Sequence, residues 1–231
     1  RSHYTISIPM KKRFSLVLIK PSHYDDDGYV IQWYRSAIPS NSLAALYGLS
    51  LECARDRVLG DDVDIEIHAF DETNTVIHID RMASLIEAAD NGMVMLVGVQ
   101  SNQFPRALDL ARPLRERGIK VGIGGFHVSG TMAMLKERDP YVQKALDIGV
   151  SLFAGEAEGR LGQVLIDAFN DELKPVYNYM DDLPNIEGVA SPLLPAEPQA
   201  PLHSGALCFK GCGYPVARPK ARSSRGHRRA G

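Results

Sequence analysis

The chain has 231 residues, 45% hydrophobic and 23% charged, with a formal charge of -2, a composition ordinary for a globular protein. That balance gives no reason to expect nucleic acid or an anionic membrane as the main partner, and no apolar run approaches the roughly 18 residues that cross a bilayer. Three cysteines are too few for a disulfide framework, so a reducing cytosol is the expected compartment.

In chain order, strand and helix patterns alternate. Lys11, Lys12 and Arg13 precede residues 14–19, a short β-branched and apolar run that reads as a buried strand. Lys20 and Pro21 end that run too early for a signal peptide. Pro39, Ser40 and Asn41 lead into residues 42–59, where Leu43, Leu46, Tyr47, Leu49 and Leu51 predict a helix closed by Gly60. Residues 63–69 alternate as a strand, and residues 80–89 are helical, with Asn91 and Gly92 as the stop. Residues 93–99 are continuously apolar, which predicts a central strand buried on both faces. Residues 104–117 form an amphipathic helix ending at Gly118, 119–123 a strand, and 131–148 a helix despite Pro140. A strand at 150–154 and a helix at 158–172 complete five strand–helix pairs. Such alternation predicts a five-stranded, parallel, doubly wound α/β sheet, flavodoxin-like, with an irregular C-terminal tail.

Beyond Leu173 the pattern dissolves. Prolines at 184, 192, 195 and 198 mark an extended linker. The sequence thus divides into an α/β domain over 14–175, a Pro-rich linker over 176–200 and an incomplete tail over 201–231. Arg218, Lys220, Arg222, Arg225, Arg228 and Arg229 make that tail basic and leave the body upstream acidic.

Two strand ends open into small polar loops: Gly124, Gly125, Phe126 and His127 after one strand, and Gly155, Glu156, Ala157 and Glu158 after the next. Glycine lets backbone approach a ligand, and polar neighbours add directed contacts, as a site at the carboxyl edge of a parallel sheet requires. Gly98, Gln100, Ser101 and Asn102 form a third such end. Their amides and hydroxyl suit an amide- or phosphate-bearing ligand, or Ser101 or Asn102 caps the next helix. His127 reads as a ligand contact, a metal ligand or a capped surface residue. Glu156 and Glu158 read as an acid–base pair, a hydroxyl-binding site or the acidic first turn of a helix. Ser42 and the apolar face from Leu43 line the same crevice or pack in the core. Asp25, Asp26 and Asp27 invite a magnesium reading, but nothing fixes three carboxylates toward one point, and a solvated loop is the simpler expectation.

In their order, Lys20-Pro21-Ser22, Gly98 to Ser101, Gly124 to His127 and Gly155 to Glu158 resemble the N-terminal cobalamin-binding domain of cobalamin-dependent radical S-adenosylmethionine enzymes, over roughly residues 14–200. The resemblance implies a corrin ring over the carboxyl edge of the sheet, with its nucleotide tail in the crevice. It implies contacts to corrin amides, phosphate or base from Ser101, Gly125, His127, Gly155 and Glu156. Ser22, Ser42, Gly98, Gln100, Asn102 and Gly124 complete the expected cofactor-binding set. Cobalamin domains that place a histidine on cobalt carry Asp-x-His-x-x-Gly after the first strand. Here Pro21 replaces the aspartate and Asp26 the glycine, so His23 lacks the carboxylate that orients such a ligand.

The family continues into a radical domain whose Cys-x-x-x-Cys-x-x-Cys motif binds a [4Fe-4S] cluster and, through it, S-adenosylmethionine. Cys208 and Cys212 supply two positions and Pro215 occupies the third, so the metal motif is incomplete and a separate radical domain or chain becomes an expected partner. The resemblance therefore implies a cytoplasmic cobalamin-binding module of a methyltransferase or cyclase-type protein, lacking the radical domain. A free-standing nucleotide- or flavin-binding domain is the alternative, although no Gly-x-Gly-x-x-Gly follows the first strand. A phosphoryl-accepting domain would need an aspartate where Gln100 and Ser101 stand. Zinc on Cys208, Cys212, His203 and His227 would require unusual ligand spacing.

Overall fold

Residues 14–19 are fully buried, including the hydroxyl-bearing Ser15. A strand covered on both faces belongs inside a parallel sheet between two helical layers, and that is its setting here. The computed structural model describes residues 11–33, 40–134, 139–182, 184, 187–193 and 195. Its strands are β1 (Lys12–Lys20), β2 (Val63–Asp71), β3 (Asn91–Leu96), β4 (Lys120–Gly124), β5 (Ser151–Ala154) and β6 (Val176–Asn178). Its helices are α1 (Asn41–Arg55), α2 (Ile79–Glu87), α3 (Phe104–Glu116), α4 (Phe126–Met134), α5 (Pro140–Asp147) and α6 (Leu161–Phe169). The strands run parallel in the order β2-β1-β3-β4-β5-β6.

Side chains alternate across the sheet, and the core splits accordingly. Phe14, Leu16, Leu18, Met93 and Met95 face a layer built from α1 and α6. Val17, Ile19, Val94, Leu96, Val121 and Ile123 face the layer of α2, α3 and α5, to which α4 adds Val128. The chain leaves β1 for β2 on one side, then returns to place β3 on the other. Loops after β1 and β3 diverge at that switch point, where doubly wound sheets open a crevice at their carboxyl edge.

The sheet has six strands, not the expected five, and the sixth lies in the segment read as linker. β6 pairs with β5 through Leu152↔Val176, Phe153↔Tyr177 and Ala154↔Asn178. A strand of three residues is too short to show a two-residue period. Side-chain contacts hold it instead. The Tyr177 ring stacks on Phe153 at 4.7 Å and 7° between planes, and its hydroxyl donates to Asp167 Oδ2 at 2.6 Å.

The helix expected over 131–148 is two helices. α4 starts at Phe126, directly after Gly125, and α5 starts at Pro140. Proline suits the first helical position, where no backbone donor is needed. Asp139 caps α5 by accepting from the N–H groups of Tyr141 at 2.8 Å and Val142 at 3.2 Å. No helix among the described residues is long and apolar enough to cross a membrane.

Burial raises the Asp167 carboxyl, but the Tyr177 hydroxyl, the Gln163 amide and the charge of Lys174 together bring it below its ordinary value. A carboxylate depressed in the folded state stabilises above its unfolded pKa, and that contribution is lost as pH falls through the folded pKa. Tyr177→Phe leaves a buried acceptor with one donor fewer, at a cost of about 1–3 kcal/mol near neutrality. Urea unfolding of both proteins from pH 7 to pH 3 should show this gap narrowing on acidification.

Candidate functional site

The loops at the carboxyl edge meet the first turns of α1 and α6 around a cavity of about 360 Å³. Ala45 and Leu46 of α1, Met95 and Val97 at the end of β3, Phe153 of β5, and Leu161 and Val164 of α6 give it apolar walls. Its polar lining comes from Asn41, Ser42, Glu156, Glu158, Arg160 and Tyr179. Asn41, Ser42 and Glu156 are exposed, which places them at the opening. An apolar slot with a few polar groups at its rim takes an aromatic ring system and orients its polar substituents.

Ser40 starts α1 by accepting the Leu43 N–H at 3.3 Å, which fixes Asn41 and Ser42 at the rim. Across from them stands Gly98, with φ +60° and its Cα pressed against Ser42. A Cβ there would lie 2.5 Å from Ser42 Cβ and 2.7 Å from its Oγ. Gly125, at φ +141°, is packed as tightly on the backbone of Val99. A Cβ on Gly155 would meet the Tyr179 backbone at 2.8–2.9 Å. These glycines therefore bring loop onto loop and so shape the slot. Gly124 packs beside Phe153 in the same way; a Cβ on it would lie 3.1 Å from the Phe153 Cβ.

Of the expected contacts, the structure gathers Ser42, Gly98, Gly124, Gly125, Gly155 and Glu156 around the slot. Gln100, Ser101, Asn102, His127 and Ser22 are not among its lining residues. The Gln100 N–H donates to Gln103 Oε1 at 3.0 Å, and Asn102 is exposed. Ser101 Oγ lies 3.1 Å from His127 Nδ1. The His127 ring is buried 4.4 Å from Phe104, with Nε2 at 3.8 Å from Asp139 Oδ1. Burial lowers the His127 pKa despite the attraction of Asp139. Ser22 is fully buried, its N–H donated to Glu72 at 3.0 Å and its hydroxyl to the Ile31 carbonyl.

Glu72 is 1% exposed and takes a two-pronged contact from Arg106, at 3.0 Å to Nε and 2.6 Å to Nη2. That pair ties the end of β2 to α3, and the Ser22 N–H on Glu72 joins the loop after β1 to it. Asp25 Oδ1 accepts the N–H groups of Asp27 at 3.0 Å and Tyr29 at 2.8 Å, so it closes its own turn. At the end of β1, Lys20 Nζ donates to the Gly98 carbonyl and to Gln103 Oε1, each at 2.6 Å. Arg160 pairs with Asp182 and lies 5.1 Å from the centre of the Tyr179 ring.

Sequence reasoning missed the walls and one side of the rim. Ala45, Leu46, Phe153, Leu161 and Val164 carry an apolar pattern that core packing explains equally well, and Tyr179 follows a strand too short to read. Leu43, weighed as a crevice residue, belongs to the core at 3% exposure.

The metal expectations need correction. Among the described residues, no group of three or more His, Cys, Asp or Glu is placed to hold a metal ion. For the described part of the chain this argues against protein-held metal, and with it the [4Fe-4S] cluster and the S-adenosylmethionine radical chemistry that needs it. A pattern of two cysteines and a proline offers too few thiolates for such a site. Cys208 and Cys212, with His203 and His227, lie outside the described residues. Comparison with protein-family models, with curated proteins and with solved structures gives no match.

Gly98→Ala combines left-handed strain with a collision against Ser42. Gly118, at φ +77°, has open space within 4 Å of where a Cβ would stand, so Gly118→Ala carries the strain alone. Each strained φ costs on the order of 1–3 kcal/mol. Chemical denaturation should show Gly98→Ala to be the less stable variant by a further 1–3 kcal/mol, roughly the cost of overpacking.

Proposed function

We propose that the chain is a corrinoid-binding module that receives the nucleotide tail of a cobalamin in the slot between α1 and α6. The observation that carries this reading is an apolar cavity with a polar rim at the carboxyl edge of a doubly wound sheet. Leu46, Phe153 and Val164 would enclose the aromatic base, and Ser42, Glu156 and Tyr179 would meet hydroxyl or amide groups at the rim. A corrinoid brings its own cobalt, so the reading needs no metal cluster built by the protein. When bound, the cofactor supplies a cobalt–carbon bond for group transfer, while the protein binds and orients it.

The alternative is a free nucleotide or flavin. Against it stands the charge of the slot. Two carboxylates, Glu156 and Glu158, line it, while the one cation among its described lining residues, Arg160, is already paired with Asp182. A terminal phosphate group, with up to two negative charges, would meet stronger repulsion there than the singly charged phosphodiester of a cobalamin tail. A cytoplasmic location belongs to the same proposal. Cys53 is a free, buried thiol, raised to about 11 by burial and by the neighbouring Glu52 and Asp56, a form compatible with a reducing compartment.

Titration with hydroxocobalamin, followed by gel filtration, tests the reading. Stoichiometric retention with a spectrum shifted towards the base-off form is expected. Ala45→Phe fills the slot and should weaken retention at least tenfold while leaving the circular dichroism of the fold unchanged. Equal binding of cobinamide, which lacks the tail, would remove the slot from the site. Retention of flavin mononucleotide or adenosine triphosphate in place of the corrinoid would favour the alternative.

A further inference from the structure

Lys20 stands at the switch point, and its surroundings are unusual for a half-buried ammonium. Such a group is normally paired with a carboxylate. Here both contacts are neutral oxygens, Gly98 O and Gln103 Oε1, each at 2.6 Å. Gln103 Oε1 also receives the Gln100 N–H at 3.0 Å. One side chain from β1 thereby holds the loop that joins β3 to α3 at two points. That loop contains Gly98, which packs on Ser42 at the rim of the slot.

The charged groups around Lys20 are otherwise engaged. Asp71, its register partner at the end of β2, accepts the Thr73 N–H at 3.0 Å and hydroxyl at 2.6 Å. Glu72, whose N–H donates to the Lys20 carbonyl, is taken by Arg106. α1 brings no acidic residue in its first turn.

We infer that Lys20 is a positioning residue for the slot: its ammonium pins the Gly98 carbonyl and the Gln103 amide, and so holds the β3–α3 loop in the form that binds ligand. The inference rests on the proposed corrinoid reading. A positively charged donor makes stronger hydrogen bonds than a neutral amine, so loss of the proton loosens this wall without removing a ligand contact. Burial lowers the Lys20 pKa to about 8, against the attraction of Asp71, which brings the change into a testable range.

Affinity and stability then move in opposite directions with pH. A base whose pKa is lower folded than unfolded binds fewer protons in the folded state between the two values. Stability therefore rises with pH from about 8 towards 10.5, and is flat below that window. Ligand affinity falls across the lower part of the same window, because binding favours the protonated form. A purely structural lysine would not produce this opposition.

The test uses methylcobalamin, titrated in the dark from pH 6.5 to 9.5 against wild type and Lys20→Met. Wild-type affinity should fall about tenfold above pH 8, on the scale of one charge-assisted hydrogen bond. Lys20→Met should bind about tenfold more weakly at pH 7 and show no pH dependence, while urea unfolding shows the stability of wild type rising relative to the variant above pH 8. A flat wild-type profile, or wild-type affinity in Lys20→Met, overturns the inference. If neither protein retains methylcobalamin, the corrinoid reading fails, and hydrogen exchange decides the latch separately. Protection of the Gln100 amide should drop at least tenfold in Lys20→Met, with the amides of β3 unchanged. Unchanged protection of Gln100 overturns the latch whatever the ligand proves to be.

Discussion

The architecture depends on β1 being paired on both sides. Lys12 to Lys20 match Val63 to Asp71 of β2 on one flank, and Phe14 to Ile19 match Asn91 to Leu96 of β3 on the other. A strand so placed exposes no edge, and its buried side chains on both faces are apolar apart from Ser15. The chain must also cross β1 to resume the sheet, which sends α1 and α2 to opposite layers. α1 then shares its layer with α6, and the gap between their first turns over the ends of β3 and β5 is the slot. Without the reversal beside β1, that space would be closed by consecutive loops.

Close packing at the edge relies on backbone more than on side chains. Gly98 against Ser42, Gly125 against Val99 and Gly155 against Tyr179 are each approaches that a methyl group would obstruct. The loop after β1 is secured differently, by the Ser22 N–H on Glu72, which Arg106 holds in turn. A carboxylate taken almost wholly out of water is tolerable when its oxygens meet a guanidinium and a backbone N–H, as they do here through Arg106 and Ser22. Ser22 consequently spends its polar atoms inside the protein.

The alternation of strand and helix was legible because parallel strands are short, apolar runs separated by amphipathic segments. β6 was not, since three residues in a proline-marked stretch show no period and its stability comes from Tyr177 stacking on Phe153, a partner 24 residues earlier in the chain. The glycine loops were correctly located at strand ends, but the reason for glycine differed: crowding by neighbouring loops, with the cavity walled by larger side chains nearby. His127 and Ser101 looked like rim residues because they follow strand ends. His127 instead meets Phe104 of α3 and Asp139 before α5, with Ser101 against its Nδ1, an arrangement that depends on where α4 begins. The slot walls were hidden because Leu46, Phe153 and Val164 obey the same periodicity as any core residue, and only the cavity they border distinguishes them.

The segment after β5 has a practical consequence for anyone dissecting the chain. Phe153 forms a wall of the slot on one side and a stacking surface for Tyr177 on the other. Further on, the Leu193 N–H donates to the Ala44 carbonyl at 3.0 Å, and the Ser191 carbonyl lies against Gly48. A fragment cut at residue 175, where the regular pattern fades, would leave an aromatic face wet, an aspartate without its phenol, and a groove along α1 uncovered. A unit for expression or transplantation that keeps these contacts reaches Leu193, so a stretch that looks like tether in the primary structure serves as an outer seam of the folded body.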